Sequence, residues 1–223
     1  MKKKDSISEY VKIVNLDAPE NMEYHVNIET GKDRQKFIEQ IKKIIRGSKE
    51  YRDYIQFLKD HMDLNKCAFF QNINGEKTSR GKVSIELHHE PFTLQDYVDV
   101  VIEKYLDNGT ELNSLLIADE VLELHYENKV GLVPLSKTMH EVVHNSNKIL
   151  IPLNMVYGEY SKFLDEYDSY IPEELYDKLQ RKLDMTKNLT PESFDAIRKE
   201  FTYIDVKGFD DVTKMENTNA QVG

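Results

Sequence analysis

The sequence predicts an α+β fold that is mainly helical, and three observations support this prediction. Apolar residues recur at helical spacing over most of the chain. Only a few short runs are rich in β-branched residues, which is typical of a small sheet. The 223 residues are 39% hydrophobic and 31% charged, a composition typical of globular proteins. We therefore expect one main globular unit with additional helices.

Residues 1–66 are predicted to contain one strand and a basic helical hairpin. The stretch MEYHVNIET alternates weakly between apolar and polar residues, as a strand does. After Gly31, apolar residues recur at helical spacing until Gly47 ends the helix. Ser48 can then cap a second helix, whose apolar stripe begins at Tyr51.

Residues 67–147 combine the β-prone runs with further helices. Two such runs, 67–73 and 83–88, flank a polar loop with two glycines, which predicts a β-hairpin. Two helices are predicted within 93–126. A β-branched run broken by Pro134 then predicts an edge strand, and another helix follows it.

The C-terminal part, residues 148–207, is predicted to be helical. Helices are expected at 155–167, 172–183 and 191–201, the last two with proline in the first turn. The segment 208–223 is rich in Asp, Asn and Thr, and we expect it to be a disordered tail.

Several classes of protein are excluded by simple features of the sequence. A single cysteine, Cys67, allows neither an internal disulfide nor a multi-cysteine zinc site. The basic start MKKKDSISEY is not followed by an apolar run, so neither a secretory signal nor a membrane anchor is predicted. There is also no P-loop, dinucleotide-binding glycine pattern or GxSxG motif. We expect a cytoplasmic protein without membrane contact.

Four histidines have a spacing that suits a metal site. His88 and His89 are adjacent at the end of a predicted strand, where neighbouring side chains point to opposite faces. His140 and His144 are four residues apart on a predicted helix, so their Cβ atoms should lie about 5–6 Å apart on one face. The helix pair can supply two ligands of one ion. One histidine of the doubled pair can supply a third ligand, and its neighbour can act as a general base.

The sequences of these segments also resemble the motif of a known protein family. The sequence IELHHEP, followed later by GLVPLSKTMHEVVH, resembles the HNH or ββα-metal nuclease motif, most closely that of the DNase colicins. The resemblance implies a ββα-metal core within 67–147 that is interrupted by a helical insertion at 93–126 and flanked by helices. It also implies metal-dependent hydrolysis of DNA phosphodiester bonds.

Roles for individual residues follow from the same resemblance. It implies that His88, His140 and His144 bind the metal ion, and that His89 is the general base. Glu86, two residues before the pair, would orient it. The general style of the chain also suggests that a phage or another mobile element encodes it, in which case the host cytoplasm is its expected location.

One position departs from the family motif. The family normally has asparagine nine residues before the first helix histidine, where it holds the catalytic loop through a backbone hydrogen bond. In this chain Gly131 stands there and has no side chain for such a bond. Asn128 is near enough in sequence to substitute.

The expected cofactor is one divalent metal ion. Imidazole ligands favour zinc or nickel, whereas magnesium prefers oxygen ligands. The identity of the ion is left open between zinc, nickel, magnesium and manganese.

The charge distribution bears on DNA binding in two opposite ways. Residues 80–147 contain 5 Lys or Arg against 12 Asp or Glu, a balance of −7 that disfavours a polyanion. The helical hairpin is basic, and we expect nucleic-acid contacts from Lys42, Lys43 and Arg46 on it and from Arg80. A solvated helix face with mixed charges explains the hairpin about equally well.

Two alternatives to a nuclease remain open. The first is a catalytically degenerate HNH fold that acts as a protein-binding or regulatory phage protein, with its acidic face directed at a protein partner. Gly131 and the −7 balance favour it. The second is a helical interaction protein with a structural metal ion.

Overall fold

The described part of the chain is mainly helical, with two small sheets. This computed structural model describes residues 28, 30–70, 73, 75, 77–78, 81–145 and 149–188. Its α-helices are α1 (Gly31–Gly47), α2 (Lys49–His61), α3 (Leu94–Asp107), α4 (Ser114–Tyr126), α5 (Lys137–Asn145), α6 (Tyr160–Tyr167) and α7 (Glu173–Asn188). Its strands are β1 (Lys77–Thr78), β2 (Gly81–Lys82), β3 (Ile85–His89) and β4 (Leu132–Ser136). The predicted α+β, mainly helical fold class is confirmed.

Some sequence predictions concern segments outside the described residues. These are the N-terminal strand, the helix at 191–201 and the tail at 208–223.

The helical hairpin of α1 and α2 is joined by one serine that serves both helices. The backbone N–H of Ser48 donates to the Ile44 carbonyl at the end of α1. Its side-chain oxygen accepts from the Tyr51 N–H and so caps α2. Helix α1 buries an apolar face made of Phe37, Ile38, Ile41 and Ile45.

Helices α3 and α4 lie at the centre of the larger hydrophobic core. Thr93 caps α3 in a reciprocal capping box with Asp96, and Asn113 caps α4. Each helix contributes several fully buried apolar residues, and both pack against α1. Helices α3 and α4, which lie between β3 and β4 in the sequence, therefore form the centre of the described fold.

Strand β3 pairs with a strand that lies beyond these two helices. It is antiparallel to β4, with Ile85 opposite Ser136 and His89 opposite Leu132. The predicted hairpin between 67–73 and 83–88 is wrong. Cys67–Phe70 instead form a loop that packs its apolar side chains on β4, with the Ala68 N–H donating to the Pro134 carbonyl at 2.8 Å. Burial of these side chains, and not strand pairing, explains the apolar run.

Strand β4 separates two hydrophobic cores. Leu132 belongs to the larger core of α1, α3 and α4, whereas Val133 and Leu135 belong to a smaller one with Phe69 and Met139 of α5. All five residues of β4 are buried, including Pro134.

Among the named strands β4 pairs only with β3, and an isolated bridge joins Leu132 to Tyr157 on its other side. The Pro134 carbonyl accepts from Ala68 and not from β3, so the proline falls at a position that does not interrupt the ladder.

The C-terminal helices differ from prediction at their ends. Residues Leu153–Met155 form a 3₁₀ turn, and Gly158 has a φ of 108°, so α6 begins only at Tyr160. Helix α7 continues to Asn188, beyond the predicted end at residue 183.

Candidate metal centre

Strand β3 and helix α5 bring three histidines together. Directly opposite residues of an antiparallel pair share a face, and His88 and Glu86 lie opposite Val133 and Leu135. That face of the sheet is covered by α5, which follows β4 without a loop. His88 therefore faces the helix that carries the HxxxH pair.

The distances between the three imidazoles suit one metal ion. Single ligand nitrogens of His88, His140 and His144 all lie within 4.8 Å of one another. The Nε2 atoms of His140 and His144 are 3.1 Å apart. Two nitrogens bound to a tetrahedral zinc ion at the usual bond length are separated by about 3.3 Å. The predicted ligand set thus fits a divalent ion with small movements of the rings.

Glu86 contacts one of these histidines directly. Its Oε2 lies 2.6 Å from Nδ1 of His140, so Nδ1–H donates and Nε2 keeps its lone pair for an ion. A carboxylate that fixes the tautomer of a metal-binding histidine is a common supporting contact. The side chain of Glu86 lies on the opposite face of β3 from that of His89, so its contact is with a predicted ligand and not with the predicted base.

The surroundings of His144 favour the neutral form of its imidazole. Partial burial lowers the pKa of its imidazole, and the neighbouring His140 and His88 lower it further. A neutral imidazole offers a free lone pair without first losing a proton.

His89 lies away from this cluster, on the face of β3 that meets the larger core. Its Nε2 is 3.0 Å from Nε2 of His125, and Nδ1 of His125 donates to the Val121 carbonyl at 2.7 Å. The tautomers follow: His125 is protonated at Nδ1, so Nε2 of His89 donates to it. Burial lowers the pKa of His89 well below its ordinary value and that of His125 to about 4.

His125 is the residue of this pair that the sequence patterns did not single out. It is fully buried on α4, among apolar neighbours and against the rings of Tyr51 and Tyr54. The sequence does contain one signal for a buried contact at His125. This residue lies on the apolar stripe of a strongly hydrophobic helix, where a histidine needs a hydrogen-bond partner inside the protein.

We expect the buried pair to make the protein less stable in acid. The pKa of His125 is lower in the folded state than the ordinary value of 6.5, so unfolding binds a proton. Its contribution is complete above that value and is lost as pH falls from 6.5 towards 4. Between pH 7 and pH 5 this histidine alone should cost about 2 kcal/mol. Urea unfolding of wild type and His125→Gln, whose amide can still accept from His89, checks this; parallel pH curves for the two proteins would contradict it.

Gly131 occupies a place where a side chain does not fit. A Cβ atom there would lie 1.9 Å from the Glu90 carbonyl oxygen and 2.8 Å from a methyl group of Val156. Its own backbone is engaged on both sides: its carbonyl accepts from the Glu90 N–H, and its N–H donates to the Tyr97 hydroxyl. The side-chain oxygen of Asn128 is buried without a hydrogen-bond partner among the described residues, so this atom does not replace the motif asparagine.

Comparison with known proteins identifies the family. The profile of a family described as bacteriophage G278-like virion protein matches residues 2–215. The chain belongs to this family. The match spans the histidine cluster, both cores and all the described helices, and it gives the protein a phage origin. No curated protein and no solved structure matches the chain.

The basic hairpin of this phage protein is exposed towards solvent at two of its three predicted contact residues. Lys43 and Arg46 are exposed, whereas Lys42 is largely covered and pairs with Glu39 at 2.6 Å. The positive charge of Arg46 is among the causes that lower the pKa of His144. Arg80, the fourth predicted contact, lies outside the described residues.

Among the described residues of this phage protein, no helix is both long enough and apolar enough to span a membrane.

Proposed function

We propose that this virion-family protein holds one divalent metal ion through His88, His140 and His144 and hydrolyses DNA phosphodiester bonds at it. The observation that carries the proposal is the convergence of three imidazole nitrogens from β3 and α5 within 4.8 Å. The all-imidazole ligand set favours zinc or nickel over magnesium or manganese.

The chemistry follows from the charge of the ligands. A divalent ion at this position supplies Lewis-acid stabilisation of the charge on a phosphodiester and on its leaving oxygen. Three neutral imidazoles leave the whole positive charge of an ion available to a phosphate, whereas carboxylate ligands would cancel part of it. Glu86 keeps His140 in the tautomer that binds. Arg46, with Lys42 and Lys43, is the proposed contact for the DNA backbone.

In this proposal, His89 is a core residue and takes no part in proton transfer. Its ring donates to His125, and its side chain is only 9% exposed. The general-base role that the HNH resemblance implies would require this ring to leave a buried hydrogen bond. Cleavage is therefore expected to depend on the three metal-binding histidines.

The position of His89 also favours a second candidate function. A ββα domain that retains its metal centre but has lost its base would act as a binding protein, with the acidic face of 80–147 directed at a protein partner. A virion protein from a phage fits either activity, in the particle or in the host cytoplasm.

A plasmid-nicking assay separates the two functions. Wild type, His144→Ala and His61→Ala are incubated with supercoiled DNA and zinc, nickel, magnesium or manganese. His61 is an exposed histidine on α2, so its variant is a matched control for the substitution. We expect nicking by wild type and His61→Ala, and a loss in His144→Ala greater than the roughly 100-fold that losing a supporting contact can cost.

Identical purification of the three proteins identifies a contaminating nuclease, because such an enzyme would nick equally in all three samples. If wild type leaves supercoiled, linear and single-stranded DNA intact with all four metals, the nuclease proposal is abandoned in favour of the binding protein.

A further inference from the structure

A buried acid beside the metal centre is not used by the proposed reaction. Glu90 follows β3 directly and is only 4% exposed. One oxygen, Oε2, lies 3.7 Å from Nε2 of His88, and the other, Oε1, forms an ion pair with Lys182 of helix α7. The carboxylate therefore bridges a predicted metal ligand and a helix that starts 85 positions further along the chain than His88.

Lys182 belongs to the face by which α7 docks onto the rest of the molecule. Leu175 and Leu179 on that face are buried in the larger core. Lys178, one turn before Lys182, pairs with Asp96 at the start of α3. Thr186, one turn after it, accepts a hydrogen bond from the Leu153 N–H. Spacings of three and four residues put all these groups on one side of the helix.

We propose that Glu90 and Lys182 are positioning residues of the metal centre and that they couple the docking of α7 to ion binding. This inference rests on the metal site proposed above. Lys182 fixes the buried carboxylate, and the carboxylate, at 3.7 Å from Nε2, limits how the ring of His88 can turn. Coupling of this kind is reciprocal, so a docked α7 favours ion binding and a bound ion favours the docked helix.

The direction in which metal affinity changes when Lys182 is replaced distinguishes a positioning role from a simple charge effect. Lys182 is a positive charge close to the site of a cation, and its removal should by Coulomb's law alone strengthen metal binding. Positioning predicts the reverse, because the buried Glu90 carboxylate loses the group that holds it. A weaker affinity in Lys182→Met therefore has to come from the lost geometry of Glu90 and His88.

The test is the zinc and nickel affinity of four full-length proteins, measured by competition with a chromophoric chelator. These are wild type, Lys182→Met, Glu90→Gln and Lys178→Met. The last is the matched control: it removes an ion pair of the same kind from the same face of α7, one turn before Lys182. We expect about 10-fold weaker binding in Lys182→Met and Glu90→Gln, as for other supporting contacts of metal ligands. Lys178→Met should show a clearly smaller loss, because it weakens the docking of α7 but leaves the Glu90 carboxylate held by Lys182.

Hydrogen exchange of wild type provides a readout that does not depend on substitution. Saturating zinc should slow exchange of the α7 amides, since the ion favours the docked helix. The inference is overturned if Lys182→Met binds as tightly as wild type or more tightly. It is also overturned if Lys178→Met weakens binding by the same factor, or if zinc leaves α7 exchange unchanged. A wild type that binds neither metal would instead refute the metal site itself.

Discussion

Zinc or nickel titrated into the wild-type protein is expected to bind at one ion per chain, and His140→Ala is expected to lose this binding by more than 100-fold. The His140 ring contacts both other histidines of the cluster. Its Nε2 is 3.1 Å from that of His144, its ring centroid lies 5.1 Å from that of His88, and Glu86 fixes its tautomer. Removing it leaves two ligands, too few for a closed imidazole site. Isothermal titration calorimetry measures both stoichiometry and affinity.

Two further variants make the calorimetric result specific. Glu86→Gln keeps all three ligands but weakens the acceptor at His140 Nδ1, so a smaller loss of about 10-fold is expected. His61→Ala removes an exposed histidine outside the cluster and should titrate like wild type. Identical isotherms for wild type and His140→Ala would show that the three histidines do not form the binding site.

Gly131→Asn is expected to destabilise the fold by about 3 kcal/mol or more, although it would introduce the asparagine that the resemblance to HNH nucleases predicts at this position. The first atom of any side chain would lie 1.9 Å from a backbone oxygen, that of Glu90, so the backbone itself must move. That movement would break the hydrogen bonds that Gly131 makes with Glu90 and with Tyr97. The free energy of unfolding in urea measures the loss.

Two companion variants separate the effect of space from that of the amide group. Gly131→Ala should be destabilised to a similar degree, since it already carries the clashing Cβ atom. Gly47→Ala has open space around the added atom and sits at the end of α1, so it should leave stability within about 1 kcal/mol of wild type. A Gly131→Asn protein as stable as wild type and active in nicking would contradict the steric reading.

The sequence predicts local structure well where one helix or one cap decides it. Helical periodicity and the caps at Ser48 and Thr93 depend on neighbours within four residues, and the structure contains both caps. The common face of His140 and His144 follows from the helical repeat in the same way. These features need no knowledge of the remaining chain.

Long-range pairing could not be read from the sequence. Strand β3 pairs with Leu132–Ser136, whereas Cys67–Phe70 form a loop although they are buried as well, so burial of an apolar run does not by itself identify the partner. Alternation along β3 does predict that His88 and His89 point apart. Which of them faces α5 depends on the register with β4, because His88 lies opposite Val133. The tight approach at Gly131 likewise exists only once Glu90 and Val156 have been brought to it.

The placement of α3 and α4 between β3 and β4 has a consequence for the order in which the molecule assembles. His88 and His140 are 52 positions apart, so an ion that joined them in an unstructured chain would have to close a long loop against its conformational entropy. The intervening helices close that loop themselves, because their apolar faces bury one another and draw the two strands together. Small zinc domains, in contrast, depend on their ion to fold at all. Here the ion would bind to histidines that the fold already holds together, and a chelator should remove the ion without unfolding the protein.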